Sequence, residues 1–130
     1  MTDITGFGLM GHGREMAVGS GVTLEIETAK VPLIEGALDA VRAGTIPGGL
    51  VSNREFAECM VAHAEGAVIP EELRKLMYDP QTAGGLLISV SSEDAGQLLG
   101  SLRSGGVAAV RIGRVIKQPS SGGGPAIVLR

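Results

Sequence analysis

The residues best suited to chemistry lie near the start of the chain, in the stretch Asp3-Ile4-Thr5-Gly6-Phe7-Gly8-Leu9-Met10-Gly11-His12. A carboxylate and a hydroxyl precede an apolar helical pattern here, and glycines are interspersed. Free backbone N–H groups at a helix start suit phosphate oxygens, and glycine lets a ligand approach the backbone closely. The carboxylate of Asp3 suits Mg²⁺. The same residues also fit a helix N-cap formed by Thr2 or Asp3, so both interpretations stay open.

A second polar stretch, Asp79-Pro80-Gln81-Thr82-Ala83-Gly84-Gly85-Leu86-Leu87, leads into an apolar run. Polar loops with glycine that enter a buried strand often form the floor of a binding cleft. The same residue types are also those of an ordinary connection between a helix and a strand. Taken alone, this stretch therefore does not identify a function.

The other reactive side chains are few. Two histidines, His12 and His63, are too few for a zinc site without further ligands, and we expect packing or surface roles for them. Cys59 lies close to Ala57 and Met60, and this predicts a buried, unreactive thiol. The chain shows no P-loop lysine pattern, no dinucleotide-binding fingerprint and no pattern typical of a Ser-His-Asp triad.

Hydrophobic periodicity predicts the elements that must position these motifs. In the first half it predicts a helix over 5–18 with one apolar face, which Gly19-Ser20-Gly21 stops. It further predicts a half-buried strand over 22–27, a helix over 33–43, a turn-rich loop over 46–49 and an undecided segment over 53–62. In the second half it predicts a helix whose first residue is Pro70 and which Asp79-Pro80 ends, and then a strand over 86–90 covered on both faces. A helix to 104 that Ser91 and Asp94 begin follows, and then a strand over 107–116 with a bulge at Gly113, a flexible loop over 119–125 and a last strand over 126–129. Helices and strands alternate irregularly, which favours an α+β fold with a mixed sheet, formed by one domain over residues 1–130.

Composition narrows the classes of function. The net charge of −3 and the pI of about 5.3 leave no basic field for nucleic acid or an anionic membrane. One cysteine excludes an intramolecular disulfide and fits a reducing compartment. The start of the chain has no signal-peptide pattern, and no apolar run reaches the roughly 20 residues that a membrane span needs. We therefore expect a soluble, cytoplasmic protein.

Taken together, the motifs resemble the rear half of the selenophosphate synthetase (selenide, water dikinase) family. The resemblance runs in order over nearly the whole chain and is carried by Asp3–His12, Ile46-Pro47-Gly48-Gly49 with Asn53, Asp79–Leu87 and Ile112-Gly113-Arg114-Val115. One departure is Ala83, where the family usually has serine, and this removes one hydroxyl from the loop.

The resemblance implies a fold and an activity. The wider superfamily includes aminoimidazole ribonucleotide synthetase, and its members join an N-terminal ATP-binding, dimerising domain to a C-terminal α+β domain of partial ferredoxin-like topology. The whole enzyme would be a kinase-type transferase of selenium metabolism and selenocysteine biosynthesis. It would convert selenide, ATP and water into selenophosphate, AMP and phosphate. The catalytic Cys or selenocysteine and its partner Lys belong to the front portion, so no catalytic residue is expected in this chain, which would begin at a domain boundary.

The resemblance also assigns site residues. Asp3 matches an aspartate that binds Mg²⁺ in the family. The expected ATP-binding positions are Thr5, Gly6, Gly8, Gln81 and Thr82. Because Mg²⁺ needs more than one ligand besides water, and because the front portion is missing, we expect the isolated chain to be inactive and to bind ATP weakly. The resemblance places the dimer contact in the front portion, so it implies a monomer for this chain and a homodimer for the full-length enzyme.

Two alternatives remain. The chain could come from another ATP-dependent enzyme of the superfamily, although Phe7 and Gln81 argue against aminoimidazole ribonucleotide synthetase, which lacks the Asp-Pro-Gln-Thr loop. It could also be a non-catalytic ligand-binding, regulatory or structural domain. An upstream segment with the Cys and Lys in the source gene would separate an enzyme fragment from a stand-alone domain.

Overall fold

A computed structural model describes residues 1–118 and 123–130. Within them, the α-helices are α1 (Gly8–Ser20), α2 (Ala37–Arg42), α3 (Gly48–Ala57), α4 (Glu71–Leu76) and α5 (Ala95–Ser104), with 3-10 turns at Thr28–Lys30 and Glu58–Met60. The strands are β1 (Thr2–Asp3), β2 (Val22–Ile26), β3 (Val61–His63), β4 (Leu86–Leu87), β5 (Gly113–Lys117) and β6 (Ile127–Leu129). No helix in these two ranges combines the length and apolar character that a membrane crossing needs.

The main sheet has four strands in the order β3-β6-β2-β5. Strand β2 runs antiparallel to β5, with Glu25 opposite Arg114, and parallel to β6, with Leu24 opposite Ile127. Strand β3 is also parallel to β6. A mixed sheet with packed helices confirms the α+β prediction.

Helix α1 covers one face of this sheet. Met10 and Ala17 are fully buried, and Gly13 lets the helix approach Ile127, whose Cδ1 would lie 3.4 Å from a Cβ at that position. The helix ends at Gly21, whose φ of 63° is a left-handed conformation that favours glycine. The apolar stripe and the end of α1 are therefore as predicted.

The start of α1 differs from the prediction, because neither Thr2 nor Asp3 caps it. These residues form β1, which pairs with β4 as Thr2 opposite Leu87 and Asp3 opposite Leu86. The helix begins only at Gly8, after Phe7 and without a side-chain cap. Strand pairing removes Asp3 from the helix start, so the capping interpretation is wrong.

Strand β2 is more buried than its alternating pattern predicted. Thr23 and Glu25, expected to face solvent, are 2% and 8% exposed. The strand lies between β5 and β6, and side chains of both neighbours cover its second face. Arg114 and Arg130 form ion pairs with Glu25, and the Thr23 hydroxyl donates to the Pro125 carbonyl at 2.7 Å.

The middle of the chain contains two boundary corrections. The helix expected over 33–43 is confined to Ala37–Arg42, and Gly48 and Gly49 belong to α3 instead of a loop. Pro47 precedes α3 with an extended backbone, and proline commonly stands at helix starts. The undecided segment 53–62 contains both alternatives, because α3 gives way to a 3-10 turn and then to β3.

The predicted buried strand over 86–90 is wrong. Only Leu86 and Leu87 are paired, and they pair with the short β1 rather than with the main sheet. Leu86, Ile88 and Val90 are consequently 62%, 39% and 42% exposed. The apolar run alone could not show that this segment lies outside the main sheet.

The remaining elements are mostly as predicted. Pro70 precedes α4, and the Asp94 N–H donates to the Ser91 hydroxyl at 3.1 Å ahead of α5. The strand expected over 107–116 is confined to Gly113–Lys117, and the bulge predicted at Gly113 is wrong, because every residue of β5 pairs one to one with a residue of β2. The last strand is confirmed as Ile127–Leu129. Most of the flexible loop predicted over 119–125, namely 119–122, lies outside the described residues.

Candidate functional site

The two polar motifs, far apart in the sequence, lie side by side in the fold. The Ile4 N–H donates to the Gly85 carbonyl at 2.8 Å, and the Gly84 N–H donates back to the Ile4 carbonyl at 2.9 Å. The Gln81 N–H donates to the Thr5 carbonyl at 3.1 Å. Strand pairing between β1 and β4 continues this contact, so the stretches around Asp3 and Gln81 form one surface, which we call the motif surface (Asp3–His12 with Asp79–Gly85).

The third sequence block contributes Asn53, which joins the two motifs from α3. Its side-chain amide donates to the Gly6 carbonyl at 2.8 Å and to the Tyr78 carbonyl at 3.0 Å. The residue is 7% exposed, so these bonds are shielded from competing water. On the same helix, Gly49 packs against Pro80, whose Cγ would lie 3.3 Å from a Cβ at position 49.

Gly8 is required by the packing of the motif surface. Its φ is +68°, and a Cβ there would lie 2.8 Å from the carbonyl carbon of Tyr78 and 2.9 Å from the Asp79 oxygen. The adjacent Met10 N–H donates to the Met77 carbonyl at 3.0 Å. The first turn of α1 is thus docked against the chain that follows α4, and a side chain at position 8 would separate them.

Gly6 differs from Gly8 in this respect. It is exposed, its φ lies outside the left-handed range, and a Cβ would meet no atom of the described residues within 4 Å. The fold therefore does not need glycine at position 6. The open space above this backbone is available to a ligand.

Most backbone N–H groups at the start of α1 are already engaged, contrary to the expectation that they are free for phosphate. The Gly8 N–H donates to the Thr5 carbonyl at 2.9 Å, and the Gly11 N–H donates to the Phe7 carbonyl at 3.2 Å. Met10 donates to Met77, as described above. Binding of an anion here must therefore rely on other groups.

His12 closes the loop that precedes α1. Its Nε2 lies 3.0 Å from the Thr5 Oγ1 and 3.4 Å from the Phe7 nitrogen. Because the Phe7 N–H can only donate, Nε2 is an acceptor, and the Thr5 hydroxyl then also donates to it. Thr5 and His12 thus stabilise the loop that presents Gly6.

An exposed aromatic group borders this loop. Phe7 is 54% exposed, and its ring stacks on Phe56 of α3 with the centroids 5.9 Å apart. The Arg14 guanidinium lies 4.4 Å from the Phe56 centroid, within the range of cation–π attraction. Neither Phe56 nor Arg14 is among the site residues predicted from sequence, because their proximity depends on how α1 crosses α3.

The loop after α4 holds a partly buried carboxylate. Burial raises the pKa of Asp79, and a hydrogen bond from the Gln81 side chain partly opposes this rise. Gln81, predicted to bind ATP, therefore directs its side-chain amide to its own loop. Thr82, the other position predicted here, is exposed on the motif surface.

Asp3 is exposed at the edge of the motif surface. Across the described residues, no three His, Cys, Asp or Glu side chains are grouped closely enough to hold a metal ion. The exposed carboxylate of Asp3 is a ligand of the oxygen type that Mg²⁺ prefers. The described part of the chain does not supply a complete metal site.

An ion-pair network joins α3 to α4 next to the motif surface. Glu58 accepts hydrogen bonds from Arg54 of α3 and Arg74 of α4, and Arg54 also contacts Glu71 at 2.7 Å. Next to it, the fully buried Tyr78 has its pKa raised to about 12, chiefly by burial. The network holds α3 against α4 and so fixes Asn53 relative to the loop after α4.

Cys59 is exposed, which overturns its prediction as a core thiol. It lies in the 3-10 turn after α3, where the chain turns toward β3 and the side chain faces outward. Its apolar neighbours in sequence therefore did not indicate burial.

This chain matches one family model and individual proteins of known name. The family model described as "AIR synthase related protein, C-terminal domain" matches residues 1–124. A relative named "Selenide, water dikinase" from Caldanaerobacter subterraneus subsp. tengcongensis is 52% identical over 97 residues, covering 75% of this chain and 27% of the relative. "Selenide, water dikinase 2" from Peptoclostridium acidaminophilum is 44% identical over 119 residues, covering 91% of this chain and 33% of the relative. The chain thus spans about a third of the length of such relatives.

Proposed function

The chain belongs to the AIR synthase related protein, C-terminal domain, family, and on this basis we propose that it is the C-terminal domain of a selenide, water dikinase (selenophosphate synthetase). The whole enzyme would convert selenide, ATP and water into selenophosphate, AMP and phosphate. Relatives carrying that name share 44–52% identity with this chain. The observation that carries the proposal is the convergence of the three family-like blocks through Asn53 and the backbone hydrogen bond from Gln81 to Thr5.

The motif surface is proposed to form one wall of an ATP site whose other wall is the front portion of the enzyme. Asp3 would provide one carboxylate ligand to Mg²⁺, and Thr82 and the backbone at Gly6 would face the phosphates. An indirect role in ATP binding is proposed for Gly8, Thr5 and Gln81. Their contacts hold the loops in place, as the packing of Gly8 and the bonds of Thr5 and Gln81 support.

When bound, Mg²⁺ would disperse the charge of the polyphosphate and orient it. The chain's own contribution is positioning, since the Asn53 bonds and the β1–β4 pairing fix Asp3 relative to the loop at Gln81. The remaining metal ligands and the catalytic nucleophile would come from the front portion. This chain by itself is therefore proposed to be inactive.

The partner of the motif surface is proposed to be the N-terminal domain of the same enzyme. The exposed Phe7 and Phe56 rings support this, since exposed aromatic groups often mark interfaces. We further propose that the whole enzyme is a cytoplasmic homodimer and that this chain alone is a monomer.

The test is selenide-dependent release of AMP by the intact two-domain enzyme that contains this chain, with Asp3→Asn compared with wild type. Loss of activity that raised Mg²⁺ or Mn²⁺ partly restores would support the metal role. The matched control is Asp39→Asn, an exposed aspartate of α2 paired only with Arg42 in the described residues. Full activity of Asp3→Asn would exclude the metal role, and wild type without any dependence on selenide would overturn the proposed function.

A further inference from the structure

A basic pocket lies on the sheet face opposite α1, at the end of β2 where Ile26 pairs with Gly113. It encloses about 350 Å³. Its lining consists of Glu25, Glu27, Lys30, Arg111, Gly113, Arg114 and Arg130. Four cationic side chains thus face two carboxylates in a protein whose net charge is −3. The local excess of positive charge is opposite in sign to that of the chain.

The buried carboxylate in this pocket orients two of the arginines. Glu25 is 8% exposed, and its two oxygens contact Arg114 Nε at 2.7 Å and Arg130 Nε at 3.1 Å. One carboxylate cannot neutralise two guanidinium groups, and each guanidinium group retains further N–H donors. Glu25 therefore holds both arginines in place while leaving a positive charge and free donors at the pocket.

Arg111 adds a cation without a counter-ion. Within residues 1–118 and 123–130 it forms no ion pair, and its Nε donates only to the Gly113 carbonyl at 3.3 Å. Lys30, by contrast, is paired with Glu27 at 2.6 Å. Gly113 also lines the pocket, and a Cβ at this position would lie 2.0 Å from the Glu25 carbonyl oxygen.

From this arrangement we propose that the pocket binds a small multivalent oxyanion of the phosphate class, held by Arg111, Arg114 and Arg130. Guanidinium groups match phosphate oxygens with paired, charge-assisted hydrogen bonds. The volume accommodates phosphate or pyrophosphate. The site is separate from the motif surface, so it does not depend on the proposed function.

The test is titration of the ¹⁵N-labelled 130-residue chain with inorganic phosphate and, separately, pyrophosphate, followed by NMR at constant ionic strength set with NaCl. Binding predicts saturable shifts of the amides at Arg111, Gly113 and Arg114. Arg111→Gln should weaken binding about tenfold, as expected for loss of one hydrogen bond between charged groups. Arg111 is exposed, so this change leaves the core intact.

Two further variants distinguish binding at this pocket from a nonspecific attraction of the anion to positively charged side chains. Lys117→Gln removes a positive charge from the far end of β5, opposite Val22, and should leave the affinity unchanged. Glu27→Gln frees Lys30 and should tighten binding several-fold. The proposal is overturned if no shift saturates, if Lys117→Gln weakens binding as much as Arg111→Gln, or if Glu27→Gln has no effect.

Discussion

The side-chain amide of Asn53 donates to the Gly6 carbonyl at 2.8 Å, and its second hydrogen reaches the Tyr78 carbonyl at 3.0 Å. One side chain of α3 thus satisfies a carbonyl group in the first polar motif and one directly ahead of the second. A shorter or apolar side chain could not reach both carbonyl groups. An aspartate could not replace the amide, because its carboxylate has no N–H to donate to them. The relationship explains physically why an amide stands at position 53.

Replacing Asn53 with alanine should destabilise the chain. The change leaves the buried Tyr78 carbonyl without its donor, and an unsatisfied buried group costs about 1–3 kcal/mol. Urea unfolding of Asn53→Ala beside wild type measures the loss. Ser52→Ala, at the exposed neighbouring position, is the control and should change stability by less than about 0.5 kcal/mol. Equal stability of Asn53→Ala and wild type would contradict the bridging role.

Low pH should weaken the ion pairs that Glu58 forms with Arg54 and Arg74 next to the motif surface. Burial acts to raise the pKa of Glu58, but Arg54 and Arg74 outweigh it and hold the pKa below its ordinary value. A carboxyl with a lowered pKa stabilises the fold above its unfolded pKa, and this contribution disappears as pH falls through the folded value. The side chain is 35% exposed, so solvent limits the contribution to at most about 1 kcal/mol.

The measurement is the free energy of unfolding between pH 7 and pH 3 for wild type and Glu58→Gln. Wild type should be the more stable at pH 7, and the difference should vanish toward pH 3. Glu93→Gln, at an exposed position ahead of α5, should follow the wild-type curve. A difference that persists at pH 3 would mean that Glu58 acts through packing rather than charge.

The sequence predicted well those features that depend on local patterns. The stripe of α1 and the stop at Gly21 follow from helical periodicity and from the left-handed conformation that glycine adopts there. The pairing of the two polar motifs, in contrast, depends on contacts between segments far apart in the chain. Family resemblance indicated that they belong to one site, but the backbone bonds that join Ile4 to Gly84 and Gly85 could not be predicted from either motif.

Two of the incorrect predictions, the capping role of Asp3 and the buried strand over 86–90, have the same physical origin. Asp3 has the residue type of a helix cap, yet strand pairing with Leu86 removed it from the helix. The apolar run from Leu86 to Val90 has the composition of a buried strand, yet only its first two residues are paired. In both cases a tertiary contact overrode a local preference.

The 130-residue chain on its own should bind Mg–ATP only weakly. Asp3 is a single carboxylate, and within the described residues no group of three potential ligands accompanies it. Calorimetry with Mg–ATP should therefore show a dissociation constant well above the micromolar range. Micromolar affinity would contradict the proposal that the front portion supplies the other wall of the site.

Gly6 and Gly8 should respond differently to the same substitution, because only one of them is required by the fold. Gly8→Ala places a Cβ 2.8 Å from the Tyr78 carbonyl carbon at a φ of +68°. The left-handed conformation alone costs roughly 1–2 kcal/mol, so urea unfolding should show a clear loss of stability.

Gly6→Ala meets open space at an ordinary φ. Its stability should stay within about 0.5 kcal/mol of wild type. In the intact enzyme, however, the added methyl group would occupy the space proposed for ATP, so kcat/KM for ATP should fall while the fold is kept. Each variant thus controls for the other, since one tests packing and the other tests ligand approach. If Gly6→Ala keeps full activity with ATP, the space above Gly6 is not part of the nucleotide site.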